Sequence, residues 1–219
     1  MKSNLAELKI GIVSDNFLPE IGGAQIHIKN LVFFLRKRGY GVEMFTNTPG
    51  EEFLEDIRIF RNKSSGLKII RFIRDVKNLS AFIKRVDLIH SHYTSYLSFL
   101  AGFLCKIFKK PLIITLHGLG TLDSSVNKYF RRRIFRYFSF KLADAIIATS
   151  KEMAEVASRF LKKEKIFLIP NGVDTQFFKP GALIEKTNKI QVLTVRRLNP
   201  KNGVQYLIEA IPYIIKEVK

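Results

Sequence analysis

Short apolar runs rich in β-branched residues alternate along this chain with segments of helical periodicity. The runs cover residues 8–14, 42–47, 57–60, 87–91, 112–116, 145–149 and 165–169. Between them, apolar residues recur every three or four positions over residues 24–38, 67–86, 94–108, 126–142 and 151–161. Such alternation is typical of α/β proteins with a doubly wound, mainly parallel sheet. The sequence therefore predicts that fold.

The alternation is interrupted near residue 170. Pro170 and Gly172 close the last apolar run, a polar connection follows, and a new strand is predicted over 189–195 with a helix from Val204 onward. A single βα unit cannot cover its own apolar faces, so we expect a truncated second domain. The predicted parts are a first domain over 1–172, a linker over 173–188, and the first βα unit of a second domain over 189–219.

Composition excludes several other kinds of protein. The chain has 219 residues, of which 47% are hydrophobic, so it is rich enough in apolar side chains to build a core. The single cysteine, Cys105, excludes an internal disulfide framework and a Cys-based zinc site. The N-terminal sequence MKSNLAELK has no apolar signal core, and no apolar stretch reaches the roughly 18 to 20 residues that span a bilayer. We therefore expect a cytoplasmic protein.

Positive charge is concentrated in the middle of the chain. The net charge is +18, and residues 61–141, with 17 basic and 3 acidic side chains, carry +14 of it. The densest segment, 127–141 (NKYFRRRIFRYFSFK), predicts a helix with an apolar arc opposite a basic one. The apolar arc consists of Phe130, Ile134, Tyr137, Phe138 and Leu142. The arginines of the segment 127–141 predict contact with lipid headgroups or nucleic acid phosphates, unless they form an ordinary solvated face. These arginines are Arg131, Arg132, Arg133 and Arg136.

Polar and glycine residues follow the ends of the predicted strands, where α/β sheets bind ligands. Gly22 and Gly23 precede a helix, so they form either a simple turn or a place where backbone N–H groups meet a phosphate. Their spacing is not G-x-G-x-x-G, which excludes the usual dinucleotide cofactor site. Asp15, Asn16 and Gln25 are further polar candidates beside the same loop.

Histidines end two neighbouring strands. Alternation along a strand places His90 and His92 on one face, and no third metal ligand is near them in sequence. His117 ends the next strand, where it either meets a substrate hydroxyl or phosphate or is satisfied by the backbone of a turn. Further along, Arg196, Arg197 and Lys201 at a strand end form a cationic group suited to a diphosphate.

Taken together, the segments resemble glycosyltransferase family 4, the retaining nucleotide-sugar-dependent enzymes with a GT-B fold of two facing Rossmann-like domains. The Gly-Gly loop and the HSH segment are most similar to the branch that glycosylates lipid acceptors such as phosphatidylinositol. The matching segments, in the family's order, are 12–27 (IVSDNFLPEIGGAQIH), 38–42 (RGYGV), 87–92 (DLIHSH), 115–118 (TLHG), 143–150 (ADAIIATS), 169–174 (IPNGVD) and 193–203 (LTVRRLNPKNG).

The resemblance implies roles for individual residues. Gly22 and Gly23 would approach the donor diphosphate and the acceptor, and His117 would contact and position the transferred sugar. The acceptor side would be formed by Asp15, Asn16, Gln25 and His92.

The family's Arg-x4-Lys pair, which neutralises the leaving diphosphate, falls on the last motif, where this sequence departs from the usual pattern. Arg197 takes the arginine place but Asn202 takes the lysine place, whereas Arg196 and Lys201 keep the same spacing one position earlier. Both pairings stay open at this point.

The implied function is transfer of a sugar from a nucleotide-sugar donor to a lipid-phosphate or glycan acceptor, without a metal or other cofactor. The family's Glu-x7-Glu motif and nucleotide pocket lie further along than this sequence, so we expect this stretch alone not to turn over. We also expect peripheral attachment to the cytoplasmic face of an anionic membrane. The alternative, from another functional class, is a basic module that binds nucleic acid or an anionic surface without catalysis.

Overall fold

A single eight-stranded sheet organises the larger of two units. The computed structural model describes residues 8–62, 67–118, 130–181 and 191–217, and the chain divides into the units Met1–Gly172 and Val173–Lys219. The strands of the sheet lie in the order β3-β4-β2-β1-β5-β6-β7-β8. All described pairings are parallel except that of β3 with β4. The strands are β1 (Lys9–Ser14), β2 (Gly41–Thr46), β3 (Phe53–Leu54), β4 (Ile57–Arg61), β5 (Leu88–His92), β6 (Leu112–Leu116), β7 (Ala145–Ala148) and β8 (Ile166–Leu168).

Five helices connect these strands, and a sixth lies in the second unit. They are α1 (Gly23–Lys37), α2 (Lys68–Ile83), α3 (Tyr96–Phe108), α4 (Phe130–Leu142), α5 (Lys151–Ser158) and α6 (Val204–Glu217). The predicted doubly wound, mainly parallel α/β sheet is confirmed. In the first unit, the two-residue strand β3 is the one described strand that the sequence did not predict. The predicted start of α4, over 126–129, lies outside the described residues. Among the helices that the structure describes, none has the length and apolar character needed to cross a membrane.

Side chains alternate between the two faces of the sheet and build two cores. Ile12 of β1 points to one face, where it joins Ile28 and Val32 of α1. The next residue, Val13, points to the other face and belongs to the cluster that contains Leu79 of α2 and much of α3. Helix α1 therefore covers one face of the sheet, and α2 and α3 cover the other.

Glycine at position 11 permits a close approach between β1 and the end of α2. A Cβ atom on Gly11 would lie 2.8 Å from Cδ1 of Ile89, 2.9 Å from Cγ2 of Val86 and 3.0 Å from Cε1 of Phe82. These distances are too short for carbon atoms, so a side chain at this position would push the strand and the helix apart.

Helix α4 is present, and its packed side includes rings outside the predicted apolar arc. Tyr137 and Phe138 of that arc remain almost half exposed, whereas Leu142 packs against the core cluster. Phe140 is fully buried and stacks on Phe160 at 4.7 Å, and the ring of Phe135 lies 5.4 Å from that of Phe99 on α3. The predicted arc therefore contains only part of the packed side of the helix.

The second unit contains α6 and a short 3-10 helix, Pro200–Asn202. The helix predicted from Val204 is confirmed. The strand predicted over 189–195 is not observed in its described part: residues 191–195 have no regular secondary structure and are exposed. A strand needs hydrogen bonds to a partner strand, and the described part of the second unit contains no strand to pair with it.

Candidate functional site

The candidate site lies at the carboxyl edge of the sheet, where the strand order changes direction. From β1 the chain proceeds to β2 and β4 on one side, whereas β5 and β6 lie on the other side of β1. Loops that leave the strands on either side of such a point separate and leave a crevice, which is the usual ligand site of open α/β sheets. The loop after β1 and the ends of β5 and β6 border this crevice.

The loop after β1 is fixed to the end of β2 by polar contacts. The backbone N–H of Phe17 donates to Oγ1 of Thr48 at 3.0 Å, and Oγ1 of Thr46 donates to the carbonyl oxygen of Asp15 at 3.2 Å. Phe17 itself is buried in the core on the α1 side. The loop is therefore held in place, while Asn16 is exposed.

Helix α1 begins at the two glycines of this loop. Gly22 is the N-cap residue, has an extended backbone conformation and provides no side-chain cap. A Cβ atom on Gly23 would meet nothing within 4 Å, so the space beside the first turn is open. The first N–H groups of a helix have no partner within the helix, and its dipole attracts negative charge there. Gln25, in the same turn, is half-buried.

All four histidines of the chain meet at the carboxyl edge. His90 stacks on His92 with ring centroids 4.6 Å apart, and His92 stacks on His117 at 5.1 Å. His27, from α1, meets the ring of His117 edge-on at 5.0 Å and that of His92 at 6.0 Å. We call these four side chains the histidine cluster.

Hydrogen bonds fix the orientation of the rings in the histidine cluster. Nδ1 of His92 lies 2.8 Å from Nε2 of His117, so the two imidazoles share a hydrogen bond. Nε2 of His90 lies 2.7 Å from Oγ1 of Thr115 on β6. His92 is fully buried, whereas His117 and His27 are half-buried at the open end of the cluster.

Burial keeps the histidine cluster uncharged. Burial, together with the neighbouring imidazoles, lowers the pKa of His90 to about 3 and that of His117 to about 4. The pKa of His92 lies well below its ordinary value for the same two reasons, and burial lowers the pKa of His27 as well. All four rings are therefore neutral near pH 7 and can each donate one hydrogen bond and accept another.

Three of these imidazoles could also hold a metal ion. One ring nitrogen from each of His27, His92 and His117 lies within 4.8 Å of the other two, and three neutral histidines are a common zinc ligand set. In sequence, no third ligand lies near His90 and His92, but the fold brings His27 of α1 and His117 close to His92. The hydrogen bond between His92 and His117 occupies one nitrogen of each ring, whereas Nε2 of His92 is buried without a hydrogen-bond partner.

A chain of polar side chains extends along the carboxyl edge from Asp15 to α2. Asp15 accepts from Nδ2 of Asn47 at 3.4 Å, and Asn62 donates both to Asn47 at 3.1 Å and to Asp75 at 2.7 Å. Burial raises the pKa of Asp15, although hydrogen bonds from Ser95 and Asn47 oppose that shift. The edge polar network, as we call these four residues from Asp15 to Asp75, connects the loop after β1 to helix α2.

The remaining predicted site residues belong to α4 or to the second unit. Arg133 is exposed, and Arg136 is half-buried with a pKa lowered by burial and by Arg133. Arg196 and Arg197 are exposed in the second unit, where Nδ2 of Asn202 donates to the carbonyl oxygen of Arg197 at 2.8 Å. The side chains of Arg131, Arg132 and Lys201 lie outside the described part of the structure.

Sequence reasoning missed two residues that contact His117. His27 was part of a motif but was not assigned to the site, although it lies four residues after Gly23, close to one helical turn. Tyr93, whose ring lies 5.2 Å from that of His117, has a φ of 71°. A positive φ is uncommon for a residue with a side chain and is often found at functional sites. No sequence signal marks it in advance.

Comparison with known proteins identifies the family to which these motifs belong. The sequence profile described as Glycosyltransferase Family 4 matches residues 21–177. The chain is 26% identical to a phosphatidylinositol N-acetylglucosaminyltransferase subunit from Arabidopsis thaliana, over 96% of this chain and 50% of that protein. It is also 26% identical to UDP-Gal:alpha-D-GlcNAc-diphosphoundecaprenol alpha-1,3-galactosyltransferase of Escherichia coli, over 99% of this chain and 60% of that protein.

Solved structures show the same fold. The structure of HepE from Anabaena in complex with UDP has a TM-score of 0.62 and 19% identity, and the match covers 80% of this chain and 47% of that one. The chain thus spans about half the length of HepE and half to three fifths of the length of the two curated relatives.

Proposed function

The chain belongs to glycosyltransferase family 4, and we propose on that basis that it forms the acceptor-side part of a retaining glycosyltransferase. The donor would be a nucleotide sugar, and the acceptor a lipid-linked or membrane-proximal phosphate or glycan. Two relatives support this choice of acceptor by their names, which specify phosphatidylinositol and diphosphoundecaprenol. The protein would work on the cytoplasmic face of a membrane.

The observation that carries the proposal is the position of His117 at the open end of the histidine cluster. The hydrogen bond to His92 uses Nε2 of His117, which leaves Nδ1 to meet a hydroxyl of the transferred sugar. A neutral ring can accept or donate at that atom, and the hydrogen bond to His92 fixes the orientation of the His117 ring. His27 contacts His117 from α1, so the first turns of α1, with Gly22 and Gly23 at their start, lie on the same side as His117.

The chemistry needs the negative charge of the leaving diphosphate to be stabilised while the acceptor attacks from the same face. In unit 1, the N–H groups at the start of α1 would supply part of this stabilisation. In unit 2, Arg196 and Arg197 are the described cations proposed for the diphosphate, together with Lys201. Asp15, Asn16 and Gln25 would face the acceptor. The nucleotide sugar is a co-substrate, and the scheme uses no metal or other cofactor.

The activity test is nucleotide release from a panel of sugar nucleotides, with and without a lipid extract, by the protein in its natural full-length reading frame. We expect release with one donor and a loss of at least about a hundredfold for His117→Ala, because positioning contacts of this kind commonly contribute that much. Glu155→Gln, at an exposed site on α5, is the matched control and should keep activity. Unchanged activity in His117→Ala would reject the proposed site.

A further inference from the structure

The first two turns of α2 expose an unusual number of large apolar side chains. Every residue from 67 to 73 is exposed, and five of the seven are large and apolar. Their exposed fractions are 72% for Leu67, 64% for Ile69, 53% for Ile70, 47% for Phe72 and 59% for Ile73. Exposed apolar side chains are common singly, but a contiguous group of this kind usually marks an interaction surface.

This apolar group lies in the first half of α2, before the part of the helix that packs on the sheet. The packed face consists of Leu79, Phe82 and Ile83, all fully buried in the second half of the helix. At 100° per residue, Ile70 and Ile73 lie on average about 155° around the helix from that face, whereas Phe72 lies within about 30° of it and is nevertheless exposed. The first two turns of α2 are therefore exposed around their whole circumference, and only the second half of the helix packs on the sheet.

Cations accompany the exposed apolar side chains, and the described residues of α2 include no exposed acidic group. Lys68, Arg71 and Lys77 are exposed on the same helix. The only acidic residue between 67 and 86 is Asp75, which is buried, accepts from Asn62 at 2.7 Å and lies 3.8 Å from the guanidinium of Arg71. The exposed surface formed by residues 67–73 and Lys77, which we call the α2 surface, is thus apolar and positive.

We propose that the α2 surface docks on an anionic phospholipid bilayer. Aliphatic side chains can enter the boundary between headgroups and acyl chains, while the cations beside them pair with lipid phosphates. Nucleic acid would match the cations but would leave Ile69, Ile70 and Ile73 without a partner of their own chemistry. Among the described side chains, the α2 surface exposes five large apolar residues, whereas α4 exposes two, Tyr137 and Phe138, and each of these two rings contacts a neighbouring ring.

The position of the α2 surface suits a lipid acceptor. Helix α2 follows β4, so its first turns lie at the carboxyl edge of the parallel strands, as the histidine cluster does. The edge polar network joins Asp75 of α2 to Asp15 in the loop after β1. A bilayer held by α2 would therefore lie at the same edge as the proposed acceptor site. This link to the acceptor rests on the proposed function, whereas docking itself requires no sugar transfer.

A fluorescent reporter tests where the bilayer makes contact. The chain has no tryptophan, so Phe72→Trp introduces a single one into the α2 surface. We expect its emission to shift to shorter wavelength with vesicles of phosphatidylcholine and phosphatidylglycerol, but not with phosphatidylcholine alone. The matched reporter is Phe34→Trp on α1, which covers the opposite face of the sheet and is 57% exposed at this position. A shift at position 34 without one at position 72 would overturn the proposal.

Co-sedimentation with the same vesicles tests which side chains of the α2 surface contribute to binding. We expect the Ile69→Ser/Ile70→Ser/Ile73→Ser variant to bind at least about tenfold more weakly, and Lys68→Ala and Lys77→Ala to cost about fivefold each. Phe103→Ser/Ile107→Ser, which removes similarly exposed apolar side chains from α3, should bind as the natural protein does. Circular dichroism confirms that each variant is folded.

Three results would overturn the docking proposal. The first is equal binding of the natural protein to neutral and anionic vesicles, or no binding to either. The second is undiminished binding of the α2 variants together with loss of binding in Arg133→Glu/Arg136→Glu on α4. The third is displacement from anionic vesicles by an equal charge of single-stranded oligonucleotide. Vesicle binding without sugar transfer in the full-length assay would instead reject the proposed function and leave docking intact.

Discussion

Burial keeps each histidine of the cluster neutral, and neighbouring imidazoles strengthen this effect for His90, His92 and His117. A lone half-exposed imidazole would titrate near its ordinary pKa of 6.5, but here each ring is covered partly by its neighbours, and a proton on one would repel a proton on the next. The neutral state is therefore shared by the whole cluster. It gives His117 a fixed hydrogen-bonding pattern, because no change of protonation near pH 7 can reverse donor and acceptor.

We predict that His90, His92 and His117 remain neutral at pH 6, where a free histidine would be about three quarters protonated. Long-range proton–nitrogen NMR correlations report the protonation state and the tautomer of each ring. With only four histidines in the chain, the spectrum can be assigned by single substitutions. An imidazolium signal from His90 or His92 at pH 6 would contradict this prediction.

The free energy of unfolding should decrease as the pH falls from about 6.5 toward 4. The folded-state pKa values lie below the unfolded value, so the unfolded chain binds protons first. The stabilisation is complete above about pH 6.5 and is lost as the pH falls toward the folded values, about 4 for His117 and about 3 for His90. The two fully covered rings, His90 and His92, should together cost about 3 kcal/mol per pH unit.

Urea unfolding at several pH values measures this slope. His90→Gln is the matched variant, because its amide can still reach Oγ1 of Thr115 but cannot titrate. We expect the slope of this variant to be smaller by about 1.4 kcal/mol per pH unit. An identical slope would mean that His90 does not contribute.

The sequence indicated much of the site but not all of its members. Alternation along β5 correctly placed His90 and His92 on one face, and the ends of β5 and β6 correctly predicted that histidines gather at one edge. The contribution of His27 depends on how α1 is rotated about its axis above the sheet. That rotation is decided by the packing of Ile28 and Val32 against β1 and β2, which no local pattern specifies.

For the helices, periodicity predicted that an element forms better than it predicted which side or part of the element packs on the core. The position of α4 was predicted, but its packed side is decided by Phe135 and Phe140, which find rings on α3 and after α5. In α2, the apolar repeat extends over residues 67–86, but only the second half of the helix packs on the sheet. Neighbouring elements therefore determine which part of an apolar repeat becomes core.

Contact between β1 and α2 should be sensitive to a single methyl group at position 11. We predict that Gly11→Ala lowers the free energy of unfolding by about 1 to 3 kcal/mol, because the new carbon would overlap Ile89, Val86 and Phe82. Urea unfolding measures the change. Gly172→Ala is the control, since a Cβ atom there meets nothing within 4 Å, and it should leave stability nearly unchanged. Equal effects of the two substitutions would contradict the proposed overlap.

At the scale of the whole chain, we predict that the segment after the first unit can be cut without loss of the sheet. Phe177 and Phe178 are 77% and 68% exposed, so brief chymotrypsin digestion should cleave beside them first. The remaining fragment should keep the circular dichroism and thermal transition of the first unit. Loss of the transition on cleavage would show instead that the first unit depends on the residues that follow.

Nearly every element of the first unit could be predicted, whereas in the second unit the helix from Val204 was predicted correctly and the strand was not. In the first unit, each strand has a partner, so local pattern and long-range pairing agree. The apolar residues of 191–195 follow a strand pattern but have no strand to pair with in the described part of the second unit. Sequence alone reports the tendency to form a strand, and only the neighbouring chain decides whether one forms.

Because the histidine cluster is neutral, the residues that attract an anionic substrate from a distance differ from those that contact it in the site. Long-range attraction comes from the cations that give the chain its net charge of +18, and dissolved salt screens it over about 8 Å at physiological ionic strength. The interior rings present only dipoles, whose short-range contacts salt scarcely affects. For the enzyme, added salt should therefore lower the rate of substrate capture, measured as kcat/KM, by a larger factor than it changes kcat. Ionic strength would thus control how often the enzyme is loaded rather than how fast it works.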